Sequence, residues 1–264
     1  MLQSKLRVLA VAFIATALAV APDIKAQTLE TETARPLRRG ELEVGGGYEF
    51  QRSKEGHEIA VPFGFEYGLT NRLNLLVEPV AYTAIRPKVG TQATGAGDLE
   101  VTLSYLVANE SGARPAIALA LEEKIPTARN SLIGTGKPDH AAYIIASKRL
   151  GLFDVHSNVS YTIVGVPKGV SVSNRIMGAL ATEFNWTPST MLYGEVLAST
   201  AAGGGEASST PIGGVIAPEV SGDEILTTLG IAHTFGGRMR YSLGVTRDNL
   251  GAIQVRPGIT LWFR

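Results

Sequence analysis

Ten charged residues recur on the polar side of alternating runs: Glu43, Glu49, Glu66, Glu78, Glu100, Glu183, Glu195, Arg238, Arg240 and Arg256. Carboxylates and guanidiniums carried on one face of successive strands could form a constriction that filters solutes by charge. The same residues could equally form Glu–Arg networks that fill a narrow barrel and bind nothing. Glu100, Glu183 and Glu195 fall in the middle of their runs, where a filter would act, whereas Glu41 and Arg264 fall at the ends.

Other chemistry is poorly served. Nucleophilic catalysis needs a base within hydrogen-bond reach of a nucleophile. His57 and His140 sit at loop edges, His156 falls on the polar face, and His233 falls on the apolar face. Ser242, the nearest partner in sequence pattern for His233, points to the opposite face, so the pair fails on geometry and no enzyme is expected. There is no cysteine and no His-rich spacing for a metal. The Gly-rich stretch at 202–222 lacks the lysine and the strand–loop–helix setting of a phosphate cradle and reads as a flexible loop. A formal charge of +0 gives no sign of a nucleic-acid partner, and no cofactor is expected.

The elements that would position the charged face are strands. Ile253, Val255, Pro257, Ile259, Leu261 and Phe263 alternate with Gln254, Arg256, Gly258, Thr260, Trp262 and Arg264, a period of two up to the last residue. The same period runs through about 40–51, 58–67, 73–83, 98–105, 117–124, 155–163, 173–186, 191–201, 223–235 and 238–248. It is weakest at 140–150, where Tyr143-Ile144-Ile145 breaks the alternation. That makes twelve predicted strands, an even number.

Short connections at Gly68–Arg72, Asn109–Arg114, Gly151–Phe153, Thr187–Thr190 and Gly236-Gly237 alternate with longer ones. This is the asymmetry of an outer-membrane barrel with periplasmic turns and extracellular loops, and it puts both termini in the periplasm. A secreted β-sandwich or lipocalin-like barrel would also alternate, with its apolar face inward. Two features favour the membrane. Charges at many levels of the polar face are cheap in a wet lumen, and Tyr67, Phe184, Trp186, Phe235 and Phe263 lie near strand ends, where interface girdles need them.

The N-terminus reads as a targeting segment. Lys5 and Arg7 precede the apolar run Val8–Val20, and Ile24-Lys25-Ala26 offers a cleavage site, with a cut after Ala21 as the alternative. Loss of residues 1–26 removes Lys5, Arg7, Lys25 and Asp23 from 24 basic and 24 acidic residues, leaving 21 and 23. Residues 27–39 are polar and aperiodic, a lead-in on the periplasmic side or tucked into the lumen, and 40–264 form the barrel.

Three patches carry a family resemblance. Tyr67-Gly68-Leu69-Thr70-Asn71-Arg72-Leu73, Gly95-Ala96-Gly97-Asp98-Leu99 with Leu103-Ser104-Tyr105, and Pro36-Leu37 before Gly40-Glu41-Leu42-Glu43 resemble a bacterial outer-membrane family labelled for the MetA pathway of phenol degradation. The resemblance implies a transporter barrel and a small, aromatic or apolar solute. One departure is that Arg264 follows the terminal aromatic Phe263.

The expectation is therefore all-β: an antiparallel transmembrane β-barrel of about twelve strands in a bacterial outer membrane. It would contact lipid and act as a passive channel for small molecules. Trp262 and Phe263 would present the last strand to the outer-membrane assembly machinery, and that strand would pair with the one at 40–51. The rival expectation is a structural or adhesive barrel with a plugged lumen.

Overall fold

The computed structural model describes residues 29–168, 172–200 and 224–264. The expected signal segment 1–26 and the expected loop at 202–222 lie outside the described residues. Fourteen strand segments form one sheet: β1 (Leu42–Gly47), β2 (Glu49–Arg52), β3 (Gly56–Gly68), β4 (Leu73–Pro87), β5 (Ala93–Gly95), β6 (Leu99–Ala108), β7 (Ala116–Ile125), β8 (Asp139–Leu150), β9 (Phe153–Ile163), β10 (Arg175–Asn185), β11 (Thr190–Ser199), β12 (Glu224–Phe235), β13 (Met239–Asp248) and β14 (Ile253–Phe263). All pairings are antiparallel: β1 and β2 both lie between β14 and β3, β5 and β6 both pair with β4, and the other strands pair with their sequence neighbours. The register of β1 on β14 runs from Leu42 opposite Phe263 to Gly47 opposite Gly258, so the sheet closes on itself and leaves no edge.

Two of the twelve staves are broken. The first is split into β1 and β2 at Tyr48, beside Pro257 of β14. Proline has no N–H to donate, and its carbonyl accepts from the Tyr48 N–H at 3.0 Å, so the regular ladder is interrupted there. The fourth stave consists of β5 and β6, both paired with β4, which extends past its expected end at 83 to Pro87. Across β3 and β4 the register shifts between Val61 and Pro62.

Side chains sort by the period of two. Leu103, Leu119, Leu121, Val159, Ile176, Leu180, Leu229 and Leu243 are exposed on the outer face, whereas Glu43, Glu49, Lys124, Asp154, Glu195 and Arg240 are buried within the barrel. An apolar exterior around a charged interior is the reverse of a soluble barrel and suits lipid. At the short-turn end the outer face carries an aromatic girdle. Phe153 packs on Phe184 with centroids 4.9 Å apart, and Phe235 meets Tyr241 edge-on at 5.7 Å.

The interior is not uniformly polar. Leu106, Ala116, Ala118, Ala120, Ala141, Tyr143, Ile145, Met177, Ala179 and Leu197 form an apolar cluster inside, around Ala34. This explains the weak alternation of β8: Tyr143 and Ile145 are apolar and point inward, while Ile144 points out. Small alanines on this wall leave room for a chain segment to lie against it.

Candidate functional site

That segment is the lead-in. Residues 29–37 lie inside the barrel, reaching from the short-turn end up to the middle of the lumen, and Arg38 and Arg39 are exposed at the short-turn rim. At the bottom, the Arg39 N–H donates to Asn71 Oδ1 at 3.0 Å, and Arg35 spans Glu110 at 2.8 Å and Asp154 at 2.7 Å. Higher up, the Ala34 N–H donates to Ser147 Oγ at 2.8 Å, and Ser147 in turn bonds His156 Nδ1 at 2.8 Å. With its amide turned to match the groups around it, Asn158 faces the Glu32 N–H at 2.7 Å and the Glu32 carbonyl at 3.0 Å. At mid-lumen the Thr31 N–H donates to Glu195 Oε2 at 2.6 Å, its hydroxyl bonds the same oxygen, and Arg256 pairs with Glu30 and, at 3.0 Å, with Glu49. Leu29 closes over Ala181, Met191, Tyr193 and Ala232. An extended segment has no ladder of its own, so its backbone groups find partners in side chains of the wall.

Beside this segment lies an internal cavity of ≈ 110 Å³. Glu30, Glu32, Glu49, Glu78, Glu100 and Glu122 line it, and Arg256 is the one cation among its described lining residues. Its wall also offers Leu29, Val80, Tyr143 and Ile145. Glu78 and Glu100 are directly opposite one another across β4 and β6. Glu100 also faces Lys124 across β7, but the Lys124 ammonium is held by Asp139 at 2.6 Å. Glu122 accepts from Tyr143 Oη at 3.0 Å. The cavity is therefore an acidic chamber with one apolar wall.

A second cluster sits near the short-turn end, where the barrel closes. Trp262 Nε1 donates to Glu43 Oε2 at 2.6 Å, and the buried Arg240 guanidinium lies 5.2 Å from the centre of the Trp262 ring. Glu66 accepts from Asn74 one strand further on.

Of the ten charged residues singled out from sequence, nine lie on inward-facing strand positions: Glu43, Glu49, Glu66, Glu78, Glu100, Glu183, Glu195, Arg240 and Arg256. The structure brings Glu49, Glu78, Glu100 and Arg256 to the cavity, sets Glu195 on the N-terminal segment, and leaves Glu43, Glu66, Glu183 and Arg240 below. Arg238 is a correction. It is exposed in the turn between β12 and β13, because Gly236 and Gly237 both take positive φ (57° and 67°) and the turn extends to residue 238. Trp262 turns its indole inward toward Glu43, while Phe263 is exposed on the outer face. Sequence reasoning missed Glu122 and Lys124, although the comb Ala118, Ala120, Glu122, Lys124 carried the signal. It also missed Glu30, Glu32 and Arg35, whose segment has no period to read. His233 points outward, bonded to Thr190 Oγ1 at 2.9 Å and edge-on to Phe235, while Ser242 is buried inside, so the two face opposite sides of the wall.

No family model matches the chain, and no curated protein matches it. Solved structures do resemble it. The NanC porin superposes with a TM-score of 0.58 at 10% identity, covering 83% of this chain and 98% of that one. The KdgM porin in complex with disordered oligogalacturonate superposes with a TM-score of 0.55 at 10% identity, covering 84% and 99%. At such identity the likeness is one of fold: a closed, twelve-stranded antiparallel barrel of the outer-membrane porin type.

Proposed function

We propose that the chain is exported, loses residues 1–26, and forms a passive outer-membrane channel for small solutes, with the long-loop end facing outward. One observation carries this reading: a carboxylate-lined cavity at the level where residues 29–37 narrow the lumen. Such a chamber favours neutral or cationic solutes and disfavours anions. The oligogalacturonate of the KdgM porin is an acidic oligomer, and six glutamates against one arginine are poor company for it. Val80, Tyr143 and Ile145 in the same wall, together with the resemblance to the MetA-pathway family, support small aromatic or apolar compounds among the solutes. The mechanism needs no coupled energy source. Solute enters from the long-loop end, loses water against the apolar wall, and passes the N-terminal segment when that segment shifts.

Trp262 and Phe263 are proposed to display the closing strand to the assembly machinery, Phe263 on the lipid side and Trp262 as the inner latch to Glu43.

A second reading, a plugged structural barrel, is favoured by the hydrogen bonds and ion pairs that tie residues 30–39 to the wall. Planar-bilayer recordings separate the two. The channel reading expects cation-preferring conductance that changes in Glu100→Ala and Arg240→Ala, and larger steps when residues 29–37 are deleted. Silence from both the full and the shortened chain would sink it.

A further inference from the structure

A row of register-matched positions follows the outer rim at the long-loop end. Arg247 is opposite Ile253, Ile253 opposite Arg52, Arg52 opposite His57, and His57 opposite Arg86. All face outward, since the buried Thr246 and Glu58 beside them fill the inward positions. Four strand spacings of ~4.8 Å make the row roughly 19 Å long. Lys54 and Lys88 stand in the adjoining loops.

Arg52, Arg86, Lys88 and Arg247 form no ion pair with a carboxylate among the described residues. Arg86 Nη1 instead reaches the main-chain carbonyls of Ile85 at 3.4 Å and Ala93 at 3.3 Å. At the same end of β7 and β8 the outward pair is Glu123 bonded to His140.

Directly beneath it the outer face turns apolar. A cleft of ≈ 410 Å³ is bounded by Phe50, Arg52, His57, Arg86 and Lys88. Phe50 lies 6.0 Å from the His57 ring, and Val255, opposite Phe50, continues the apolar surface with Ile59 and Tyr82. Guanidiniums bind phosphate through paired donors, and a positive site directly above an apolar wall fits an amphiphile with an anionic head.

We infer that this rim binds the phosphorylated headgroup of an outer-leaflet lipid. The phosphates bridge Arg52, Arg86 and Lys88, and the acyl chains lie over Phe50, Ile59 and Val255. A free phosphate ion would satisfy the charges but leave the apolar wall beneath them without a role. The inference rests on the reading of the barrel as membrane-embedded with its long-loop end outward.

The test uses the full chain folded in detergent micelles, with folding confirmed by heat-modifiable migration on a gel. Native mass spectrometry then follows binding of bisphosphorylated lipid A and of the same lipid without its phosphates. The phosphorylated lipid should be retained at least about thirtyfold better, as expected when two or more phosphate–cation contacts of about 1 kcal/mol each are lost. The double variant Arg52→Gln/Arg86→Gln should weaken it by roughly thirtyfold, while Arg72→Gln/Arg114→Gln at the opposite rim should bind like the parent. Equal retention of the two lipids, undiminished binding by Arg52→Gln/Arg86→Gln, or complete displacement by inorganic phosphate would each overturn the inference. Failure of the chain to give a heat-modifiable barrel would instead overturn the membrane reading beneath it.

Discussion

Trp262 and Glu43 face one another across the strand pair that closes the barrel, and the indole N–H donates to the carboxylate at 2.6 Å. One residue belongs to the first strand and the other to the last, so the bond forms only when the sheet has closed. Arg240, fully buried beside the indole ring, adds a cation to the face of the same side chain. Trp262→Phe keeps a ring for Arg240 and removes the N–H. The Glu43 carboxylate then loses a donor in a buried place, at a cost of about 1–3 kcal/mol. The urea midpoint of the detergent-folded barrel should fall accordingly. An unchanged midpoint would mean the latch contributes nothing.

The closure was legible in sequence because a period of two is a local signal, and Leu42 to Phe50 and Ile253 to Phe263 both carry it without interruption. The contents of the lumen were not. Thr31 meets Glu195 at a separation of 164 residues, and nothing near Thr31 announces that partner. The segment is polar because it satisfies its backbone against the wall, and polarity without period also describes a solvated tail. Arg238 failed for a different reason: two glycines suggested a two-residue turn, and their positive φ made it a three-residue one. The acidic cavity lay between these extremes. Glu78 and Glu100 were found by alternation, but their direct opposition depends on the register of β4 and β6, which alternation cannot supply.

Glu110 anchors the N-terminal segment from the short-turn end through Arg35, and it also accepts from Lys148 at 2.8 Å. Partial burial works against its charge, yet the hydrogen bonds from Lys148 and Arg35 prevail and bring its pKa from 4.5 to about 2. A folded value below the unfolded one means that the unfolded chain binds the proton more readily. The stabilisation is therefore complete above about pH 4.5 and is lost as the pH falls toward 2. Melting temperature followed by circular dichroism should drop across that window in the parent. Glu110→Gln should show a shallower drop. Parallel pH profiles would refute the assignment.

Tyr193 is slotted between two glycines that face one another across β12 and β13. A Cβ on Gly230 would lie 2.2 Å from Tyr193 Cζ and 2.6 Å from the Leu243 carbonyl oxygen, and one on Gly244 would lie 2.9 Å from Tyr193 Oη. The tyrosine end could swing aside, but the carbonyl belongs to the backbone. Gly230→Ala should therefore cost about 1–3 kcal/mol through overpacking. Gly178→Ala, whose Cβ would meet nothing within 4 Å, serves as the control and should leave the urea midpoint within error. Equal effects from the two would show that the slot is loose.

Glu78 and Glu100 are opposite one another across β4 and β6, and the proposed filter sets that repulsion against selectivity. Like charges directly across a strand pair are destabilising by about 0.2–1 kcal/mol relative to a neutral pair. Glu100→Gln removes the repulsion with little change of shape and should raise the urea midpoint slightly. The same change takes one negative charge from a cavity whose described lining holds a single cation, so the reversal potential in a salt gradient should move toward zero. On the channel reading, the two carboxylates serve the solute at a small cost in stability. Structural filler would give the opposite pattern: a fall in stability on losing the charge and no movement in reversal potential. The two measurements on this one variant thus decide between a filter and a packed interior.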